Sequence, residues 1–156
     1  MFAVDVGYGQ LDWKLQTDPR VISIDRINAR NLEKNDIQEL VDLVVIDVSF
    51  ISLKLIIPAS IDVLKPTGDL IALVKPQFEV GKEEVENKGI IKNPLKHLNV
   101  LVELNAFMKK KGWPITNITP SPITGQKGNR EFLIHCLVKE NSPTIEDDHI
   151  RNMINI

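Results

Sequence analysis

Apolar residues in this chain come in short blocks separated by polar or Pro/Gly-containing stretches. Phe2–Val6, Val21–Ile24, Val41–Ile46, Asp69–Val74, Pro114–Ile118 and Glu131–Val138 predict strands. Val-Asp-Leu-Val-Val-Ile and Leu-Ile-Ala-Leu-Val are continuous rather than alternating runs, as expected of parallel strands covered on both faces. A second period lies between the blocks. Leu98, Leu101, Val102, Phe107 and Met108 recur at helical spacing and predict a helix over Leu95–Lys111. Lys109–Lys111 complement its carboxyl end, and Gly112 terminates it. Ser49 or Ser52 caps another helix that runs to about Leu64, with Pro58 expected to kink it. Leu11–Leu15 predicts a short helical segment ending near Pro19. Lys65–Gly68 is expected to stop the second helix and turn the chain. Asn28–Asp36, with about one helical turn, Pro76–Pro94 and Thr119–Arg130 read as loops, and the polar tail from Asn141 as loosely held.

Strands alternating with helical segments mean βαβ units and a parallel sheet. The connection between the last two strands is Pro- and Gly-containing and shows no helical period, so the final strand is expected to run antiparallel. A mostly parallel sheet with one antiparallel strand near the carboxyl terminus is a methyltransferase-like α/β arrangement. Ligands bind beyond the carboxyl ends of such strands. Asp5, Asp47 and Lys75 close or flank strand ends there, and Glu131 opens the last strand.

Composition narrows the picture. A chain of 156 residues with 43% hydrophobic positions fits one domain with a full core. Aromatics at 5% weaken the idea of a base-stacking platform, and a net charge of −2 does not advertise a nucleic-acid binder. Cys136 is the only cysteine, which excludes a disulfide framework and a cysteine-rich zinc site. Its apolar neighbours predict a buried, inert thiol. His97, His135 and His149 are too scattered for a metal site. No apolar stretch reaches the ~20 residues that span a bilayer. No basic leader precedes Phe2, so a reduced, cytoplasmic protein is expected.

Each candidate residue has a functional and a structural reading. Asp5, before Gly7-Tyr8-Gly9, is a ribose-hydroxyl acceptor or a turn-capping aspartate. Arg26 and Asn28 follow the second strand where an adenine edge would lie, although on the residues alone an Asx-turn asparagine is the stronger account of Asn28. Asp47 ends an apolar strand, and a buried carboxylate needs a partner. Lys75 is the natural one, either as a structural ion pair or as a tunable base. Glu131 orients Lys75, accepts a proton, or is an ordinary strand-end glutamate. Lys82, Lys88, Lys92, Lys127 and Arg130 form a basic rim or only a solvated face.

Five motifs in this order carry a resemblance: Asp5-Val-Gly-Tyr-Gly-Gln-Leu, Val44-Val-Ile-Asp-Val-Ser-Phe-Ile-Ser-Leu-Lys, Leu73-Val-Lys-Pro-Gln-Phe-Glu, Thr119-Pro-Ser-Pro-Ile-Thr-Gly and Gly128-Asn-Arg-Glu-Phe. From Phe2 to about Lys139 the chain resembles the haemolysin-A (TlyA-like) family of FtsJ-like ribosomal RNA 2′-O-methyltransferases. The resemblance implies a Rossmann-like, S-adenosylmethionine-dependent fold and ribosomal RNA or a ribosomal subunit as partner. It implies Asp47, Lys75 and Glu131 as the last three members of a Lys-Asp-Lys-Glu catalytic set. It places Asp5, Asn28 and Asp47 against the cofactor. It also makes 1–140 a truncated methyltransferase domain with its first strand missing, followed by a tail over 141–156. The first catalytic lysine, the glycine-rich loop and an S4-like RNA-binding domain would lie before Met1. The isolated chain is then expected to be impaired, to bind the cofactor weakly and to self-associate through exposed sheet edges. A non-catalytic RNA-interaction module is the alternative. Membrane activity, which the family name suggests, has no support in the sequence.

Overall fold

The computed structural model describes residues 1–81, 83, 85, 89–137 and 142–154. Six strands and five helices alternate along them: β1 (Phe2–Asp5), α1 (Trp13–Gln16), β2 (Ile22–Asp25), β3 (Val41–Ile46), α2 (Leu53–Asp62), β4 (Leu64–Val74), α3 (Pro76–Glu79), α4 (Pro94–Lys110), β5 (Ile115–Pro120), β6 (Phe132–Leu137) and α5 (Asp147–Ile154). A single 3-10 turn, Ala29–Asn31, occupies the expected place in the loop after β2.

The strands form two sheets. β1 and β2 pair in parallel, Phe2 opposite Ile22 and Asp5 opposite Asp25. The larger sheet has the order β3-β4-β6-β5. β3 is parallel to β4, and β6 is antiparallel to both of its neighbours. The antiparallel final strand is therefore as expected, and it inserts between β4 and β5 rather than lying at an edge. Val74 faces Phe132 across β4 and β6.

One face of the large sheet carries the core. Leu70, Ala72 and Val74 from β4 and Phe132, Ile134 and Cys136 from β6 are fully buried. They meet Ile56 and Ile57 of α2 and Leu98, Leu101, Leu104 and Met108 of α4 in one cluster. Burial of such side chains stabilises by about 1.5–3 kcal/mol each before entropy is subtracted. Both helices start at side-chain caps: Ser52 accepts from the Lys54 amide and Asn93 from the Leu95 amide. Gly112, at φ +76°, ends α4 in the left-handed conformation that glycine tolerates.

Three expectations change. α2 stops at Asp62, and Lys65–Gly68 do not turn away but stay within β4 as an irregularity beside β3. Pro66 has no amide to give a ladder, which suits it to such a break. A Cβ at residue 68 would press on the Leu64 side chain and on the carbonyls of Lys65 and Asp42, so the close approach favours glycine. Pro76–Glu79, read as loop, is a helical turn with Pro76 at its start. The described part of the tail is not loose. Ile150 and Ile154 of α5 are buried in the main cluster. The Ile145 amide donates to the Ile115 carbonyl, and Asn105 donates to the Asp147 carboxylate.

Candidate active site

The site is built where β3 and β4 end side by side. Val41–Ile46 and Asp69–Val74 are mainly apolar strands paired in parallel, β3 at the sheet edge and β4 inside it, so the first polar residue after each falls at the sheet rim. Asp47 and Lys75 are those residues, and Lys75 Nζ lies 2.6 Å from Asp47 Oδ1. The pair is asymmetric, with the lysine side chain 14% exposed and the aspartate side chain 65% exposed. Lys75 Nζ also donates to Ser49 Oγ at 3.2 Å. A charge-assisted contact to a carboxylate and a hydroxyl holds the ammonium in one place while one face of the pair stays open to solvent.

Glu131 arrives from the antiparallel strand. Continuing the β4–β6 register one residue beyond Val74 and Phe132 sets Lys75 opposite Glu131. Glu131 is buried at 6% exposure. Its carboxylate accepts from Gln77 Nε2 at 3.4 Å, and no Lys75–Glu131 ion pair forms among the described residues. The structure thus brings Asp47 into contact with Lys75, while Glu131 contacts Gln77 in the helical turn that follows Lys75. A Cβ at Gly125 would overlap Glu131 Oε1, so glycine is what lets the 121–130 loop close over the carboxylate. Asn129, also buried, ties that loop down. It accepts from the Ile91 amide and donates to the carbonyls of Gly89 and Gln126.

Several contributors to the site were not singled out from sequence. Glu79 folds back from α3 to α2, where it accepts from Ser52 Oγ at 2.6 Å and from the Leu53 amide at 2.7 Å. Burial raises its pKa above the ordinary value, against the lowering effect of those hydrogen bonds and of Lys54. It fastens the turn after Lys75 to the turn after Asp47. Phe50 is 87% exposed and sits at φ +64°, a costly conformation for an aromatic residue. Its ring rests against Phe78 at 4.9 Å between centroids. Gln77 Oε1 is buried with no hydrogen-bond partner among the described residues. The advance signals for these residues were their position three to five residues beyond a strand end and their place inside the motifs that carry the resemblance.

At the other strand pair, Asp5 Oδ1 accepts from the Gly7 amide at 2.6 Å, which leaves its second oxygen open. Asp25 spends both oxygens, on Ser23 Oγ and on the Gly9 amide. Asn28 caps the 3-10 turn by accepting from the Arg30 amide, so its Nδ2 is what remains to donate. The Arg26 guanidinium lies 4.6 Å over the Tyr8 ring. Of the basic rim, Lys82 and Lys88 lie outside the described residues. Arg130 stacks at 5.3 Å over Phe132. The histidines stay apart, and among the described residues no cluster is suited to a metal ion. His97 meets the Ile91 carbonyl, and His135 pairs with Asp69 at 2.7 Å. Burial pushes the Cys136 thiol up to about 12, consistent with an inert residue.

A family model described as FtsJ-like methyltransferase matches residues 1–137. The chain belongs to the FtsJ-like methyltransferase family. A Bacillus subtilis relative in this family, named as a candidate rRNA methyltransferase (YqxC), is 47% identical over 135 residues. Those residues are 86% of this chain and 48% of that protein. The 16S/23S rRNA (cytidine-2′-O)-methyltransferase TlyA of Mycobacterium tuberculosis is 42% identical over 132 residues, 85% of this chain and 49% of its own length. The chain therefore spans about half the length of these curated relatives. A solved structure described as a candidate hemolysin of Streptococcus thermophilus superposes with a TM-score of 0.92 at 41% identity, covering 99% of this chain and 56% of that one. A 16S rRNA (adenine(1408)-N(1))-methyltransferase from Catenulisporales acidiphilia shares the fold at a TM-score of 0.56 and 10% identity. The FtsJ-like chain thus has a methyltransferase-like α/β fold with a mixed sheet, and among its described residues no helix is long and apolar enough to cross a membrane.

Proposed function

We propose that this FtsJ-like domain serves S-adenosylmethionine-dependent methylation of a ribose 2′-hydroxyl in ribosomal RNA, with Asp47, Lys75 and Glu131 at the reacting centre. The observation that carries the reading is the 2.6 Å contact between Lys75 and the exposed Asp47 at adjoining strand ends. A ribose hydroxyl is a poor nucleophile at neutral pH, and a positioned lysine can accept its proton or stabilise the developing alkoxide. Asp47 and Ser49 hold Lys75 Nζ where that hydroxyl would enter. Glu131, through Gln77, fixes the loop on the far side. Alignment of the two reactants supplies several kcal/mol more.

The residues present fit part of the cofactor. The open oxygen of Asp5 suits a ribose hydroxyl, and Asn28 Nδ2 suits an acceptor nitrogen of adenine. The cofactor contributes an electrophilic methyl group; the chain contributes its orientation and the fate of the proton. Phe50, exposed beside the ion pair, offers a face on which an unstacked base can rest. A substrate of this class places the activity in the cytoplasm.

The test is a chimera in which residues 1–137 replace the matched stretch of the Mycobacterium tuberculosis relative. The chimera is expected to methylate a ribose 2′-hydroxyl of ribosomal RNA, read by mass spectrometry of nuclease fragments. Lys75→Ala in the chimera should lower the rate at least ~100-fold. A folded chimera with no transfer, or a Lys75→Ala chimera with full activity, overturns the proposal. For the chain by itself, calorimetric titration is expected to give cofactor binding weaker than micromolar.

A further inference from the structure

Lys75 and Asp47 end neighbouring strands, and each is followed at once by a turn. After Lys75 the chain enters α3, a helix of four residues. A helix that short has little stability of its own, since isolated helices need about 12–15 residues to persist in water. Pro76 opens it without an amide to give, and Lys75 at its cap makes no side-chain bond to it. Contacts outside α3 must therefore fix where it sits. Two of them come from the stretch after Asp47: Phe50 rests against Phe78, and Ser52 and Leu53 meet Glu79.

The Glu79 contact is the more directional of the two. One carboxylate oxygen accepts from Ser52 Oγ at 2.6 Å and the other from the Leu53 amide at 2.7 Å, so both oxygens are committed to the start of α2. α2 has no acidic residue of its own in its first turn, where an acceptor is favourable. Glu79 brings one from a different element. Burial opposes a charge there and raises the pKa of Glu79. A protonated carboxyl still makes both contacts, by accepting from Leu53 and donating to Ser52. The bridge thus depends on the reach of the side chain and its two polar atoms rather than on its charge.

We propose that Glu79 is a positioning residue for the Lys75–Asp47 pair: by joining α3 to the start of α2 it fixes the spacing of the two strand-end turns, and with it the place of Lys75 Nζ. Both partners of that nitrogen, Asp47 at 2.6 Å and Ser49 at 3.2 Å, belong to the stretch that leads into Ser52. Among the described residues Glu79 bonds to neither Lys75 nor Asp47, so its effect passes through the turns. Displacement of a reacting group by about 1 Å can cost about 100-fold in rate. That consequence for the rate rests on the proposed role of Lys75 toward the ribose hydroxyl; the placement of Lys75 does not.

The experiment has two arms. In the first, the full chain is treated with an acetylating reagent in mildly alkaline buffer. The labelling rate of Lys75 relative to the exposed Lys110 is read by peptide mass spectrometry. Glu79→Ala is expected to raise this ratio at least about threefold, because Lys75, 14% exposed in the intact pair, gains access to solvent. Glu79→Asp keeps the charge but loses the reach and should do the same. Glu79→Gln keeps the length and two polar atoms and should stay within about 1.5-fold of the parent. Ile150→Val, which loosens the packing of α5 on α4, should leave the ratio unchanged and so separates placement from lost stability.

In the second arm the same variants are placed in the chimera. Glu79→Ala is expected to lower kcat about tenfold or more with KM for ribosomal RNA within about threefold, and Glu79→Gln to restore kcat to within about threefold. The proposal is overturned by an unchanged ratio in Glu79→Ala, by an equal rise in Ile150→Val, or by Glu79→Gln behaving like Glu79→Ala. A full kcat in Glu79→Ala despite a raised ratio overturns it too. A parent chimera that transfers no methyl group counts against the proposed function instead, and the labelling arm then still decides whether Glu79 places Lys75.

Discussion

The sheet of β3, β4, β6 and β5 and the pair of β1 and β2 are made of similar residues and end up in different states. Phe-Ala-Val-Asp in β1 and Val-Asp-Leu-Val-Val-Ile in β3 are both mostly apolar, each with one aspartate. No residue of β1 or β2 is fully buried, whereas alternate positions of β4 and β6 are sealed from water. The small cluster beneath β1 and β2 consists of Leu32, Ile37, Ala59 and Val63, and the strand residues only lean on it. A strand gains stability from its neighbours rather than from its own sequence. β4 and β6 have strands on both sides and helices over one face. β1 has one strand beside it and a groove on the other side.

The largest effect that sharpens this contrast is a core truncation. Phe132→Ala, at a fully buried ring, should cost about 3–5 kcal/mol in urea unfolding. Val4→Ala in β1 should cost under about 1 kcal/mol, since its side chain is only half-buried. Equal costs would mean that Val4 is packed as tightly as Phe132. Hydrogen exchange gives the next largest difference. Amides of β1 and β2 should exchange at least about tenfold faster than those of β4 and β6, because small sheets with open edges unfold locally.

A smaller effect tests the fastening within the larger region. Ser52→Ala removes the cap of α2 and one bond to Glu79, and should lower stability by about 1–2 kcal/mol. The same link has a pH signature. The Glu79 carboxyl has its pKa raised in the folded state, so the native protein holds that proton more tightly than the unfolded chain does. Its contribution is therefore fully present below the ordinary carboxyl range and is lost as pH rises through the raised value. Glu79→Gln should flatten that part of the stability profile, measured by thermal unfolding from pH 4 upward. The smallest effect concerns Cys136. With the thiol buried and its pKa near 12, native protein should resist alkylation at pH 8, while urea-unfolded protein reacts.

Local pattern revealed the elements well where periodicity was strong. β3 begins and ends at the expected residues, and α4 begins one residue before the expected Leu95 and ends one before the expected Lys111. It misjudged Lys65–Gly68, because Pro and Gly that usually leave a sheet are here retained by contact with β3 and by the ion pair of Lys65 with Asp42. It misjudged the tail as well. Ile145, Ile150 and Ile154 are sparse among polar residues, and the main cluster, with α4 against α5 and β5 against Ile145, supplies the surface that collects them.

For the site, the sequence by itself determined which polar residues stand at strand ends. Asp47 and Lys75 had to reach the rim, since each is the first polar residue after a mainly apolar strand. What the tertiary structure alone decided is who meets whom. The insertion of β6 between β4 and β5 sets Glu131 across from Lys75, the backfolding of α3 brings Glu79 to Ser52, and the separation of β1 from β3 leaves a groove. Periodicity reports how a segment is buried. Pairing depends on hydrogen bonds between segments far apart in the chain, and no local spacing encodes them.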